Sequence, residues 1–144
     1  MLDLLLQELP SYTQQFSEAI QRLHTGGSSK DIDVAQRIAH TIKGSGNTVG
    51  IKGVAVLTHQ IEDILMACAK AHKLPGTALI NTLINASDCL EAMCESLLGF
   101  GEPPADARAV LQEVLDWAYR IAKNGIEEAN SQDAPIKHLS LIHI

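Results

Sequence analysis

The chain has 144 residues, a formal net charge of -6 at pH 7, and a composition that is 46% hydrophobic, 19% charged and only 3% aromatic. This length corresponds to one globular domain and excludes a two-domain enzyme with a separate ATP-binding or Rossmann module. The acidic balance excludes the broad basic surface expected of a protein whose main partner is nucleic acid.

We predict an all-α protein, because leucine, alanine and isoleucine dominate and no β-branched runs lie between turn signals. The first helix is predicted from Leu2 to about His24, and Pro10 should either kink it or begin its regular part. Residues 25–29 should form a loop, since glycine and serine dominate there. The second helix is predicted from about Lys30 to Thr48.

The third helix is predicted from Ile51 to about His72, after a turn at Gly50. The fourth is predicted from Thr77, as its N-cap, to Leu98. The fifth should run from Ala105 to about Asn124 and stop at Gly125. Short loops favour antiparallel neighbours, so the predicted fold is an antiparallel up-down four-helix bundle with an additional fifth C-terminal helix.

The C-terminal part of the chain changes in composition after the fifth helix. Residues 1–125 are assigned to the bundle, and residues 126–138 have the polar composition of a linker-like tail. Residues 139–144 resemble a translated sequencing-library adapter, so we interpret them as non-native and exclude them from the fold. On this interpretation the chain is a fragment of a longer protein.

The cysteines and the hydropathy pattern bear on the expected cellular setting. Cys68, Cys89 and Cys94 are odd in number and lack CxxC spacing, so neither a disulfide framework nor a zinc site is indicated. The sequence begins without a secretory signal and has no run of about 18 apolar residues that could span a membrane. We therefore expect a cytoplasmic domain that contacts no membrane, and separately we expect this domain to be monomeric.

The second helix carries a histidine outside its apolar stripe. His40 lies opposite that stripe, where an accessible imidazole can act as a nucleophile or a ligand, although alone it would pass for an ordinary surface histidine. Lys43 follows at i+3, where its ammonium can stabilise the roughly two negative charges of a phosphoryl group. Gly44 leaves room for another protein to approach, although close helix packing or an early helix end are alternative reasons for a glycine there.

The third helix places two further polar residues outside its core stripe. His59 and Glu62 share one side of this helix. If the second and third helices form an antiparallel hairpin, residues equidistant from the turn are neighbours, and His40 lies opposite about residues 59–62. Two imidazoles and a carboxylate should therefore meet near one surface. Glu62 would then accept a hydrogen bond from one nitrogen of His40, which fixes the tautomer and leaves the other nitrogen nucleophilic.

These residues carry a resemblance to a known family. The segment His40–Ser45 (HTIKGS) resembles the HxxKGS motif of histidine-containing phosphotransfer (HPt) domains. His59 and Glu62 lie where chemotaxis-type (CheA-like) histidine kinases have a second histidine and a glutamate. The resemblance is specific over residues 38–65, and the five-helix pattern extends it over residues 2–125.

The resemblance implies a role for each matching residue. His40 would be the phosphoacceptor, Lys43 its charge partner, and Gly44 the clearance for a docking receiver domain. His59 and Glu62 would complete the hydrogen-bond network used when a kinase catalytic domain phosphorylates His40. The phosphoryl group would lie on the ring nitrogen remote from the main chain and pass to an aspartate of a response regulator.

The resemblance also implies partners and excludes a cofactor bound by this domain. ATP would be held by the partner histidine kinase catalytic domain and Mg²⁺ by the partner receiver domain, because the chain has no nucleotide-binding glycine loop. The isolated domain would not be an enzyme. The full-length protein would be a chemotaxis-type or hybrid kinase, with a free-standing relay protein as the alternative. Ser45 is assigned a packing or weak polar role. Arg37 and Lys52 either add positive potential for a partner or are ordinary solvated residues.

Two other functions are open at this point. His40, His59 and Glu62 could form a facial metal triad. Di-iron bundles, however, need carboxylates from several helices and a repeated Glu-x-x-His motif, which this chain lacks. The other alternative is a non-catalytic helical module that binds receiver or kinase domains. Such a module would be recognised by loss of the acceptor histidine, whereas His40 is present in this chain.

Overall fold

A computed structural model describes residues 2–49, 52–126 and 129. This part of the chain contains helices and no strand, which confirms the predicted all-α class. No helix in the described part is long and apolar enough to cross a membrane. Its five helices are α1 (Leu2–His24), α2 (Ser29–Val49), α3 (Lys52–Ala71), α4 (Thr77–Leu97) and α5 (Ala107–Asn124).

Most helix ends lie within one residue of the predicted ones, and three details need correction. Helix α1 continues through Pro10, whose carbonyl accepts a hydrogen bond of 3.0 Å from Oγ1 of Thr13, so a helix beginning only at Pro10 is wrong. The N-cap of α4 is Gly76, in an extended conformation, and not Thr77, which is already helical. Helix α5 begins at Ala107, two residues later than predicted, because the preceding residues form a turn.

The turn between α1 and α2 fixes where α2 begins. Gly26 has a φ of 91°, which glycine adopts without strain, and a Cβ at Gly27 would lie 2.5 Å from Oδ2 of Asp31. The Asp31 carboxylate accepts hydrogen bonds of 2.9 Å from Nε of Arg22 and 3.0 Å from the backbone N–H of Ser28. Asp31 therefore links the turn to the end of α1, and the turn sets the start of the helix that carries His40.

The five helices share one core. Helix α2 packs against α1 and α3, and α1 also packs against α4. Helices α3 and α4 contact each other less extensively, because α5 packs against both of them. The fifth helix buries an apolar stripe in the common core and is therefore part of the packing rather than an external addition. This stripe consists of Val110, Val114, Trp117 and Ile121.

The core continues beyond the end of α5. Gly125 has a φ of 87°, and its carbonyl accepts a hydrogen bond of 3.0 Å from the backbone N–H of Ala129. Ile126 and Ala129 are both buried in the core cluster. Packing thus extends into the segment predicted as a linker, whereas the rest of that segment and the suspected adapter residues 139–144 lie outside the described residues.

Candidate phosphotransfer site

Helix α2 separates a buried face from the residues of the candidate site. Its fully buried residues recur with helical periodicity and include two alanines, which allow the neighbouring helices to approach closely. They are Ile32, Ala35, Ala39 and Ile42. His40 lies off this stripe with 67% of its side chain exposed, as predicted from the periodicity.

A hydrogen bond joins His40 to Glu62 across the α2–α3 interface. Nδ1 of His40 lies 2.8 Å from Oε2 of Glu62, whose side chain is only 6% exposed. Because an ionised carboxylate can only accept, Nδ1 carries the proton and donates it, and a neutral ring then has its lone pair on Nε2. The hydrogen bond expected from the hairpin register is therefore present.

Lys43 binds the same carboxylate. Its Nζ lies 2.7 Å from Oε1 of Glu62, so the two oxygens of Glu62 are divided between Lys43 and His40. Lys43 was predicted to lie beside a phosphoryl group on His40, and this ion pair was not predicted. The signal was available, since Lys43 is one turn from His40 on nearly the same face and Glu62 lies opposite both.

The Glu62 carboxylate is ionised in this setting. Burial, the largest influence, raises the pKa of Glu62, but hydrogen bonds from Lys43 and His40, together with the positive charges of these groups, outweigh it. The net effect is a pKa below the usual value for glutamate. At neutral pH the carboxylate can therefore accept from both partners at once.

His59 contacts an acidic residue of its own helix. Its ring is half exposed on α3, and Nε2 lies 3.5 Å from Oδ2 of Asp63, one turn further along the same helix. Within the described residues, the His59 ring has Asp63 as its polar neighbour and makes no hydrogen bond with His40. The structure thus unites His40, Lys43 and Glu62 and leaves His59 beside them, with an i,i+4 partner that the sequence analysis missed.

Gly44 has no packing role within the described part of the chain. A Cβ built on it would meet no atom within 4 Å, and α2 continues beyond it to Val49. Close helix packing and an early helix end, the two alternative explanations for this glycine, are therefore wrong. Ser45 is partly buried, in keeping with its assigned packing role.

The stretch of α2 that carries His40 has no acidic residue. Between Val34 and Val49 the sequence contains Arg37 and Lys43 and no aspartate or glutamate. Arg37 is exposed one turn before His40, and Lys52 is exposed at the first residue of α3. Exposed cationic side chains raise the local potential and favour an anionic group or an acidic partner surface.

The residues considered as metal ligands do not converge. Among the described residues, no group of three or more histidine, cysteine, aspartate or glutamate side chains is arranged to hold a metal ion. Glu62 is bound to His40 and Lys43, while His59 faces Asp63. The geometry instead provides an exposed imidazole with one nitrogen held by a buried carboxylate.

Comparison with known proteins identifies the class to which this fold and site belong. Residues 1–116 match the family model described as the Hpt domain. The chain belongs to the Hpt domain family, and it is a phosphotransfer domain of two-component signalling rather than a catalytic kinase domain.

Its curated relatives are chemotaxis proteins. The chain is 26% identical over 136 residues to "Chemotaxis protein CheA" of Bacillus subtilis (strain 168), a match that covers 92% of this chain and 20% of that protein. It is 27% identical over 143 residues to the protein of the same name from Listeria monocytogenes, covering 90% of this chain and 23% of the relative. With the Treponema pallidum protein of that name it shares 28% identity over 111 residues, covering 76% and 14%. The chain thus spans about a fifth of the length of these relatives.

Proposed function

We propose that His40 accepts a phosphoryl group on Nε2 from a histidine kinase catalytic domain and passes it to an aspartate of a response-regulator receiver domain. The observation that carries this proposal is the 2.8 Å hydrogen bond between Nδ1 of His40 and Oε2 of Glu62. It fixes the proton on the inner nitrogen and directs the lone pair to the outer one. With 67% of the side chain exposed, that nitrogen is accessible to a partner protein.

The chemistry is a pair of nucleophilic displacements. In the first, the Nε2 lone pair attacks the γ-phosphorus of ATP held by the partner kinase, a phosphorus–nitrogen bond forms, and the bond to the ADP oxygen breaks. The ring then carries positive charge, which the Glu62 carboxylate stabilises through Nδ1. In the second, the receiver's aspartate oxygen attacks the same phosphorus, and the phosphorus–nitrogen bond breaks to restore the lone pair.

The other site residues position the imidazole of His40 and set the charge around it. Glu62 holds the imidazole in one tautomer and one orientation, and Lys43 keeps Glu62 ionised while placing an ammonium on the side where the phosphoryl group arrives. Gly44 leaves the adjacent surface open to the receiver, which supplies the Mg²⁺ that neutralises charge during the second step. His59 is proposed to join this network when the kinase domain docks.

The domain is proposed to act within a larger protein. Its curated relatives are several times longer and carry the name of a chemotaxis protein. We infer that this chain is the phosphotransfer portion of a chemotaxis-type or hybrid histidine kinase. In that setting the kinase catalytic domain supplies bound ATP, and a receiver domain is the recipient of the phosphoryl group.

The test is phosphorylation by chemotaxis-type kinase catalytic domains with labelled ATP, comparing the wild type with His40→Gln. Acid-labile, base-stable label on the wild type and none on His40→Gln is the expected result. His24→Gln is the matched control, because His24 is another exposed helical histidine and should leave labelling unchanged. Absence of label on folded wild-type protein with several kinase domains would instead favour a non-catalytic interaction module.

A further inference from the structure

The ring of His59 lies against an exposed carboxylate of its own helix. Its Nε2 is 3.5 Å from Oδ2 of Asp63, one turn further along α3, and both side chains are 53% exposed. Glu62 precedes Asp63 in the chain, and residues three and four positions after a given residue are both its neighbours on a helix. His59 is therefore followed, one turn later, by one exposed and one buried carboxylate, and in the structure it approaches the exposed one.

The buried carboxylate already has two hydrogen-bond donors. Oε2 of Glu62 lies 2.8 Å from Nδ1 of His40, and Oε1 lies 2.7 Å from Nζ of Lys43. Because only 6% of the Glu62 side chain is exposed, few directions remain from which a third donor can approach. While Lys43 occupies Oε1, Asp63 is therefore the carboxylate that is open to His59.

A phosphoryl group on His40 changes this distribution of donors. It brings roughly two negative charges, which attract the ammonium of Lys43. As Lys43 turns away from Oε1, the buried Glu62 carboxylate loses a donor, and a buried acceptor without a partner is destabilising. His59 begins one turn before Glu62 on the same helix, so its ring is placed to donate the replacement hydrogen bond.

We propose that Asp63 is a positioning residue that holds the His59 ring away from Glu62 in the resting domain and releases it as His40 is phosphorylated, an inference that rests on the proposed function of His40. Among the described residues, Asp63 forms an ion pair with His59 and none with His40 or Lys43, so it acts through His59. An ion pair between half-exposed side chains is weak, and water replaces it at little cost. Asp63 therefore slows acceptance of the phosphoryl group moderately rather than blocking it.

The first experiment tests the position of the ring without any phosphorylation. Lys43→Met vacates Oε1 of Glu62, as the phosphoryl group is proposed to do, and Asp63→Ala removes the resting partner. Short proton–proton distances measured by NMR should place the His59 ring beside Asp63 in the wild type and beside the γ-methylene of Glu62 in the double variant Lys43→Met/Asp63→Ala. A ring that keeps its wild-type position in the double variant would overturn the proposal.

The second experiment is a double-mutant cycle on phosphorylation by a chemotaxis-type kinase catalytic domain in single turnover. Asp63→Ala should accept phosphate about threefold faster than the wild type, as expected for loss of a weak exposed pair. In a His59→Gln background the same substitution should bring no gain. Asp88→Ala, which removes an exposed aspartate of α4, is the matched control and should behave like the wild type.

The cycle separates release of His59 from a general effect of charge. A gain of equal size in the His59→Gln background would show that removing a negative charge is sufficient, and would overturn the proposal. An unchanged or slower rate for Asp63→Ala would overturn it as well. Absence of phosphate on the wild type is a separate outcome, which contradicts the proposed function of His40, while the NMR comparison still tests whether Asp63 holds the His59 ring.

Discussion

Nδ1 of His40 lies 2.8 Å from Oε2 of Glu62, although 22 positions separate these residues in the chain. The donor ring is 67% exposed, whereas the acceptor side chain is 6% exposed. The bond therefore crosses from the surface into the α2–α3 interface, so that a buried carboxylate orients an exposed ring. An imidazole held in this way is oriented before any partner binds.

Removing the Glu62 carboxylate should affect the two displacement steps unequally. Glu62→Ala is expected to slow acceptance from the kinase by about 100-fold, because the ring loses its fixed tautomer and orientation before attack. Transfer to the receiver should slow less, since the phosphoryl group is already on the ring. Single-turnover rates in both directions measure this, with Glu95→Ala, at an exposed glutamate of α4, as the control that keeps both rates. Equal losses in both directions would refute the asymmetry.

Replacing the acceptor should cost function without costing stability. His40→Gln is expected to abolish phosphate uptake and to change the free energy of unfolding by no more than about 0.5 kcal/mol, because the side chain is largely exposed, the glutamine amide can still donate to Glu62, and Lys43 still pairs with Glu62. Thermal denaturation followed by circular dichroism provides the comparison. A large fall in melting temperature would show that His40 is structurally required.

Lys43 should stabilise the fold through its ion pair. Lys43→Met leaves the buried Glu62 carboxylate with one charged partner fewer and is expected to lower the free energy of unfolding by about 1 to 3 kcal/mol. The control is Lys52→Met, which removes an exposed lysine and should cost no more than about 0.5 kcal/mol. Urea denaturation measures both, and equal stabilities for the two variants would contradict the structural role of the pair.

The stability that Glu62 provides should depend on pH. Because its pKa is lower in the folded state than its usual value of 4.5, its contribution is fully present above the usual value and disappears as pH falls through the lowered one. The difference in unfolding free energy between the wild type and Glu62→Gln should therefore shrink in acid. Urea titrations from neutral pH to about pH 3 test this. A difference that grows on acidification would reverse the sign and contradict the ion pair.

Much of the fold follows from apolar periodicity and from turn residues. Helical spacing predicts the five elements, while glycine and proline predict the breaks. Periodicity does not determine which helices pack together, so the packing of α5 against both α3 and α4 could not be predicted from it. Local preference also misplaced the N-cap of α4, because Gly76 rather than Thr77 has the extended backbone that precedes the first turn.

In the site as well, the register of the helices could be predicted from the sequence, whereas the conformation of long side chains could not. The hairpin register predicts that His40 and Glu62 face each other, because it depends only on distance from the turn. The ion pair between Lys43 and Glu62 depends on how a long flexible side chain extends, which spacing leaves open. The position of the His59 ring likewise depends on its side-chain torsions, and in the structure it approaches Asp63 on its own helix.

The most direct test of the account is to identify the phosphorylated nitrogen. Protein labelled with ¹⁵N-histidine, phosphorylated by the kinase domain, is examined by NMR for phosphorus coupling to each ring nitrogen of His40. Coupling to Nε2 is expected, with Nδ1 protonated and hydrogen-bonded to Glu62. Coupling to Nδ1, or to any other histidine, would contradict it.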